Sequence, residues 1–294
     1  MLWNLPHIGV QVEPIFTICG FNFTSTLMLA IVDAIIIFVM FFLYSRRKKV
    51  LPGRIQNALE WLVQVFLNLC EEVAGKRKGR VFFPWVFGIF LYVLMGNLWE
   101  IIPGIESIGL VNHELEGCHN VTTTFGFLLL DKGSSNCITP LLRPPSTDLN
   151  FTLAIAVVSV VVTQIYGWRM LGAKAQIGRY LTLRDGPMGL FVGILEAVLE
   201  VARIISFGFR LFGNLFAGDA LLLVMGFLLP FVCAIPFYFL EIFVGIVQAF
   251  VFAMLTLIFL ELGTTGHGHT DTEEEHAAEV QHEKQLRAEH ALER

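Results

Sequence analysis

Long apolar runs alternate with short polar segments along most of this chain. The hydrocarbon core of a bilayer is about 30 Å thick, and about 20 helical residues cross it. Runs of this length predict membrane-crossing helices at about 24–44, 81–102, 149–171, 187–229 and 231–262. The pattern therefore predicts an all-α polytopic membrane protein with about five membrane-crossing helices.

Two stretches depart from a simple series of upright spans. Segment 55–73 is amphipathic and contains three glutamates, so we predict a helix that lies on the membrane surface. Run 187–229 would reach roughly 60 Å as a continuous helix, about twice the thickness of the hydrocarbon core. We therefore predict that this run and 231–262 form a long, strongly tilted helical hairpin.

Lysine and arginine are distributed unevenly among the polar segments. Segment 45–80 contains nine and segment 167–188 contains four, whereas 104–147 contains two and the first 23 residues contain none. Basic loops tend to remain on the cytoplasmic side of a membrane. We therefore expect an extracytoplasmic N-terminus, an extracytoplasmic loop at 104–147, and a cytoplasmic C-terminus that carries the polar, acidic, histidine-containing tail 263–294.

The composition excludes an ordinary soluble protein. Hydrophobic residues make up 55% of the chain and charged residues only 15%, whereas soluble domains contain about 25% charged residues. No Gly-x-Ser-x-Gly, His-Glu-x-x-His or phosphate-binding loop occurs, which argues against an intramembrane enzyme. The chain is expected to be surrounded by the lipid bilayer, with no cofactor, metal ion or nucleic acid.

Arg210 lies inside the apolar run 187–229. A guanidinium group keeps its proton in proteins, and placing it near the bilayer centre costs about 2.5–3.5 kcal/mol on insertion scales. No acidic residue lies three or four positions away, so its partner must come from elsewhere in the fold or from another subunit. A buried anion, a water-filled cavity or an ion path would offset the cost.

A polar stripe surrounds Arg210 on its own helix. At 100° per residue, Glu196, Arg203, Ser206 and Asn214 lie within about 40° of Arg210. The stripe extends toward the end of the helix that we expect to be cytoplasmic. Glu196 and Arg203 also allow a simpler interpretation, in which they form a buried structural ion pair or extend to the lipid headgroups.

A second polar group lies on the other side of the helix. Asp219 is rotated about 180° from Arg210 and lies about 13 Å further along the axis. Glu241 and Gln248 share one face of the last apolar run, which allows Asp219 to face them across the hairpin; Gln248 alone is also typical of a contact between helices. The pattern predicts two polar routes that do not join, whereas Asp33 has no assigned role.

Segment 205–219 reads Ile-Ser-Phe-Gly-Phe-Arg-Leu-Phe-Gly-Asn-Leu-Phe-Ala-Gly-Asp. It resembles the signature of subunit a of rotary F-type ATP synthases, and its core, Arg-Leu-Phe-Gly-Asn-x-x-Ala-Gly, is highly specific. Further segments resemble other parts of the same family, and they lie at 52–60, 96–103, 145–153 and 248–252.

The resemblance implies a proton-translocating stator subunit, not catalytic by itself, that provides two offset half-channels to the carboxylates of a c-ring. Arg210 would face these carboxylates and separate the half-channels. The resemblance further implies contact with the peripheral-stalk subunit b and a location in the bacterial plasma membrane. The outer half-channel would use Asn97, Glu100, Ser146, Asn150, Asp219, Glu241 and Gln248. The inner half-channel would use Glu196, Ser206 and Asn214.

Several interpretations remain open at this stage. A self-contained proton or ion transporter is the alternative function; it predicts internal repeats, and none is evident in the sequence. Cys118 and Cys137 share the loop 104–147 and are candidates for a disulfide if that loop is extracytoplasmic. The histidines of the tail 263–294 are too loosely spaced for a clear metal site, and a solvated helix is expected there.

Overall fold

The computed structural model describes residues 14–18, 21–46, 53–102, 109–111, 138–140, 143–172, 176, 178, 186–228 and 234–265. Five long helices make up most of this described part, and the predicted all-α polytopic fold class is confirmed. In chain order the helices are α1 (Ser25–Arg46), α2 (Arg54–Leu98), α3 (Leu149–Leu171), α4 (Gly186–Leu228) and α5 (Ala234–Thr264).

Four helical segments in the described part are long and apolar enough to cross a membrane: Ser25–Arg46, Gln56–Leu98, Leu149–Leu171 and Ile235–Thr264. α4 contains 43 residues, so it extends roughly 65 Å and is much longer than the hydrocarbon core is thick. It also carries Arg210 and Asp219 within its apolar sequence. Its length is the property that led us to predict a tilted helix for this run.

α2 joins two elements that the sequence analysis treated as separate. The segment at 55–73, predicted to lie on the membrane surface, and the span predicted at 81–102 fall in two helical segments of α2, which meet at the non-helical backbone of Gly75. Gly75 has φ 74° and ψ 159°, a backbone conformation that glycine adopts without steric cost. The chain folds back at this point, because Phe66 of the first segment packs against Phe90 of the second, and Glu71 pairs with Arg80 at 2.7 Å.

α5 is the central helix of the bundle. It packs against α2, α3 and α4, whereas α1 lies at the edge and contacts α2. Small residues allow α3 and α5 to approach each other: a Cβ at Gly167 would lie 2.9 Å from the carbonyl oxygen of Gly263. Ser159 and Thr256 hydrogen-bond across the same interface at 3.0 Å. Such close contacts are typical of helices that pack within membranes.

Aromatic side chains fill much of the core between these helices. Phe66 and Phe90 of α2 pack with their ring centroids 4.3 Å apart. Phe207 of α4 packs against Phe252 of α5 at 5.0 Å. By contrast, α1 exposes large apolar side chains such as Phe38, which is 70% exposed. An exposed apolar surface of this kind is suited to contact with lipid.

Two short antiparallel pairs of strands were not predicted. β1 (Pro14–Ile18) pairs with β2 (Phe21–Thr24), which leads directly into α1. β3 (Gly109–Val111) pairs with β4 (Ile138–Pro140) within the long loop between α2 and α3. Residues 103–108, 112–137 and 141–142, which include Cys118 and Cys137, lie outside the described residues, as does the tail from residue 266 onward.

Candidate functional site

Arg210 lies on an exposed face of α4. Ser206, Phe209, Gly213 and Ala217 are exposed on the same side of the helix. No hydrogen bond or ion pair joins Arg210 to another residue in the described part of the chain. The guanidinium group is therefore presented on the outer surface of the bundle, within a face that is otherwise largely apolar.

Asn97, near the end of α2, links three elements of the fold. Its side-chain Nδ2 donates a hydrogen bond of 2.9 Å to the carbonyl oxygen of Gly245 in α5. Ser146, in the short 3-10 helix Pro145–Thr147, donates a bond of 2.9 Å to Asn97 Oδ1. Both side chains are buried, with Asn97 3% and Ser146 1% exposed. The bonds fix these polar groups against α5.

Two glycines make this approach possible. A Cβ at Gly96 would lie 3.0 Å from Ser146 Oγ, and a Cβ at Gly245 would lie 3.3 Å from Asn97 Cβ. Both distances are shorter than most Cβ contacts in proteins. A larger residue at either position would push the hydrogen-bonded side chains apart.

Glu241 lies one helical turn before Gly245, and its side chain is only 5% exposed. Its carboxylate occupies the space beside Gly218 of α4, where a Cβ would overlap it. The adjacent Asp219 is half-buried and interacts electrostatically with both Glu241 and Arg143. The structure therefore brings Asp219 and Glu241 together across the α4–α5 hairpin.

The other residues predicted for the outer half-channel differ from one another in burial. Gln248 and Glu100 are buried, at 7% and 8% exposed, with Glu100 in the 3-10 helix Trp99–Ile101 that follows α2. The side chain of Asn150 is exposed, while its backbone N–H donates a 2.9 Å bond to Asp148 Oδ1. Asn150 therefore helps to begin α3, and its side chain is not part of the buried cluster.

The polar stripe on the other side of Arg210 is partly open. Glu196 and Asn214 are half-buried, whereas Ser206 is exposed. The guanidinium carbon of Arg203 lies 3.7 Å from the centre of the Phe259 ring in α5, which is close cation–π geometry. α4 therefore carries polar residues on both sides of Arg210 along its length.

Comparison with known proteins identifies the family. The ATP synthase A chain family matches residues 26–261 of this chain. The chain belongs to this family. It is 28% identical over 243 residues to ATP synthase subunit a of Moorella thermoacetica, covering 83% of this chain and 92% of the relative. It is 27% identical over 269 residues to ATP synthase subunit a of Oceanobacillus iheyensis, with coverages of 87% and 97%.

A third relative is ATP synthase subunit a of Helicobacter pylori strain Shi470, which is 28% identical over 263 residues. The match covers 87% of this chain and 98% of the relative. Membership of the ATP synthase A chain family agrees with the apolar helices described above, and the chain is an integral membrane protein.

Two contacts near Asn97 and Ser146 were not predicted from the sequence. Trp99 Nε1 donates a 2.5 Å hydrogen bond to Oδ1 of Asp33, the acid in α1 that had no assigned role. Arg143 interacts with Asp219, and its Nε donates a 3.3 Å bond to Thr147. Asp33 could have been noticed as an acid within an apolar run, and Arg143 as one of two basic residues in the loop 104–147.

Among the described residues, no group of three or more His, Cys, Asp or Glu side chains is placed to hold a metal ion. Cys70 is a buried free thiol in α2. Cys118, Cys137 and the histidines of the tail lie outside the described residues.

Proposed function

We propose that this chain is the proton-translocating stator subunit of the membrane sector of ATP synthase. Its family membership supports the role in the membrane sector. The observation that carries the mechanism is Arg210, a permanent cation on an exposed and largely apolar face of α4. Such a face fits a second apolar surface that bears a carboxylate, and the proposed partner is the c-ring.

The outer half-channel is the route that protons follow from outside to the ring. Its support is the buried cluster in which Asn97 links Ser146 to α5, together with the proximity of Asp219 and Glu241. Carboxylates and hydroxyl groups can accept and release protons, and polar groups inside a membrane protein commonly mark ion pathways. The proposed lining residues are Asn97, Glu100, Ser146, Asn150, Asp219, Glu241 and Gln248.

The inner half-channel leads from the ring to the other side of the membrane past Glu196, Ser206 and Asn214. A ring carboxylate accepts a proton from the outer route, becomes neutral, and travels around through the lipid. It releases the proton to the inner route and returns charged to Arg210. Arg210 attracts this charged carboxylate and prevents protons from passing directly between the routes. Each charge that crosses a 100 mV potential releases about 2.3 kcal/mol.

The proposed function also implies a second protein partner and a location in the cell. Subunit b of the peripheral stalk is the second proposed partner, because a stator must be held still while the ring turns. The proposed location is the bacterial plasma membrane, with the N-terminus outside and the C-terminus in the cytoplasm. The distribution of basic residues supports this orientation, since segment 45–80 contains nine lysines and arginines.

The test is ATP-driven acidification of inverted membrane vesicles that contain the complex with Arg210→Ala. We expect acidification to be lost while the subunit stays assembled with its partners, as judged by its recovery in the purified complex. Arg169→Ala is the matched control, because Arg169 is also an exposed arginine, at the end of α3, outside both proposed routes.

Normal acidification with Arg210→Ala would refute the proposed mechanism. It would favour a path contained within this chain, as in a self-contained transporter. Equal loss with Arg210→Ala and Arg169→Ala would also contradict it, because the effect would then follow from removing any exposed arginine.

A further inference from the structure

Asp33 is a buried carboxylate that the two proposed routes do not use. It lies in α1, eight residues after the helix begins, and is only 1% exposed. Eight residues correspond to about 12 Å along a helix axis. An ionisable side chain inside a membrane helix is costly, and it usually faces the bundle interior and serves ion movement. Asp33 fits this description, because α1 otherwise exposes large apolar side chains such as Phe38.

The two carboxylate oxygens of Asp33 face different neighbours. Oδ1 accepts the 2.5 Å hydrogen bond from Trp99 Nε1. Oδ2 lies 4.0 Å from the position that a Cβ would take at Gly96, and Ser146 Oγ lies 3.0 Å from the same position. Asp33 and Ser146 therefore border the same small space above Gly96. One oxygen is held by Trp99, and the other faces the hydrogen-bonded cluster.

The cluster beyond Ser146 continues to α5. Ser146 donates to Asn97, and Asn97 donates to the carbonyl of Gly245. Glu241 lies seven residues after α5 begins, about 10 Å along that helix. Asp33 and Glu241 thus lie at similar distances from the first residues of their helices, and the hydrogen bonds of Ser146 and Asn97 reach α5 one turn after Glu241.

We propose that Asp33 is a further proton-carrying group of the outer half-channel, on its α1 side. This inference rests on the proposed function. A hydronium ion on the outer aqueous side gives up a proton, and an O–H bond forms on the carboxylate of Asp33. That O–H bond then breaks as the proton passes to a water molecule on the side of Ser146, and the carboxylate is restored to its charged form.

The groups around Asp33 are compatible with this role. On α2, Tyr92 is the titratable group that interacts electrostatically with Asp33, and a tyrosine phenol is ordinarily neutral near pH 7. Beside α1, Asp148 caps α3 and accepts a 2.9 Å bond from Thr26. Arg143, at the start of the same segment, interacts with Asp219. Asp33 has no ion-pair partner among the described residues.

The test separates proton transfer from a structural role by two substitutions. Asp33→Asn removes the titratable group but keeps an oxygen that can accept the bond from Trp99. Trp99→Phe removes the donor but keeps the carboxylate. ATP synthesis driven by an imposed proton gradient is measured in vesicles containing the assembled complex. The solution on the side of the outer half-channel is set to pH about 6 or about 8, and Asp33→Glu is the conservative variant.

We expect Asp33→Asn to slow synthesis about tenfold or more, as for loss of a general acid–base group. The loss should be greater at the higher external pH, where protons are scarce, and Asp33→Glu should restore part of the rate. Trp99→Phe should be milder and independent of pH. Wild-type rates with Asp33→Asn, together with a defect in Trp99→Phe, would overturn the proposal and leave Asp33 as an anchor for Trp99.

Arg210→Ala, measured in the same vesicles, distinguishes this inference from the proposed function. If Arg210→Ala abolishes synthesis and Asp33→Asn does not slow it, only the role of Asp33 is refuted. If Arg210→Ala leaves synthesis intact, both are refuted.

A second variant keeps the proposal testable if Asp33→Asn does not assemble. Asp33→Cys should become sensitive to silver ions added on the outer side, relative to the unsubstituted chain, because the proposal requires an aqueous path to this position. Silver sensitivity equal to that of the unsubstituted chain would overturn the proposal.

Discussion

The close contact between Gly218 and Glu241 provides a quantitative prediction. A Cβ at Gly218 would overlap Cδ, Oε1 and Oε2 of the Glu241 side chain. Glu241 is 5% exposed, so the carboxylate has little free space to move into. Gly218→Ala therefore either displaces this carboxylate or separates α4 from α5. Both outcomes disturb the point at which Asp219 and Glu241 approach each other.

The expected magnitude follows from two opposing effects. Overpacking of a well-packed interior costs about 1–3 kcal/mol, while replacing glycine by alanine inside a helix favours folding by about 1 kcal/mol. Gly88→Ala isolates the second effect, because Gly88 is an exposed helical glycine in α2 with no atom within 4 Å of an added Cβ. The difference between Gly218→Ala and Gly88→Ala is therefore the overpacking cost alone.

The assay is ATP-driven proton pumping by the assembled complex, measured together with the thermal stability of the purified complex. If the full overpacking cost is added to the activation barrier for proton transfer, pumping by Gly218→Ala falls roughly 5- to 150-fold relative to Gly88→Ala. Gly245→Ala should lie between the two variants, because its Cβ would be 3.3 Å from Asn97 Cβ. Equal pumping and equal stability in Gly218→Ala and Gly88→Ala would refute the reasoning.

Two further predictions concern contacts outside this hairpin. Asn97→Ala removes two buried hydrogen bonds and leaves Ser146 and the carbonyl of Gly245 without these bonds, so we expect a loss of about 1–3 kcal/mol in thermal denaturation of the purified complex; an unchanged midpoint would contradict it. Lys78 pairs with Glu261 at 3.1 Å, with side chains 32% and 24% exposed, so Lys78→Ala should cost less than about 1 kcal/mol in the same assay; a large destabilisation would show that this pair matters more than its exposure suggests.

The helices could be predicted from the sequence because apolar runs of sufficient length have few alternatives in a membrane. The isolation of Arg210 on α4 could also be inferred, since no acid lies one turn away on the same helix. The fold-back within α2 could not be predicted, because it depends on a single glycine with positive φ. Hydropathy alone does not distinguish a kink at Gly75 from a loop.

The hydrogen bonds that link Ser146, Asn97 and Gly245 could not be predicted from the sequence, for a different physical reason. Ser146, Asn97 and Gly245 are separated by 49 and 148 positions in sequence, and helical periodicity relates only residues on one element. The same limit explains why Asp33 had no assigned partner, since Trp99 lies 66 positions away. The resemblance to a known family gave Asn97 and Ser146 their expected places, whereas it gave no place to Asp33.

The central claim is that Arg210 separates two half-channels, and passive proton conductance tests it most directly. Vesicles containing the complex with Arg210→Ala are placed under an imposed membrane potential in the absence of ATP, and proton flux is compared with that of Arg169→Ala and the unsubstituted complex. The account predicts raised flux for Arg210→Ala alone, because the two routes then connect through the ring carboxylates. Flux equal to that of the unsubstituted complex, with the subunit fully assembled, would contradict it.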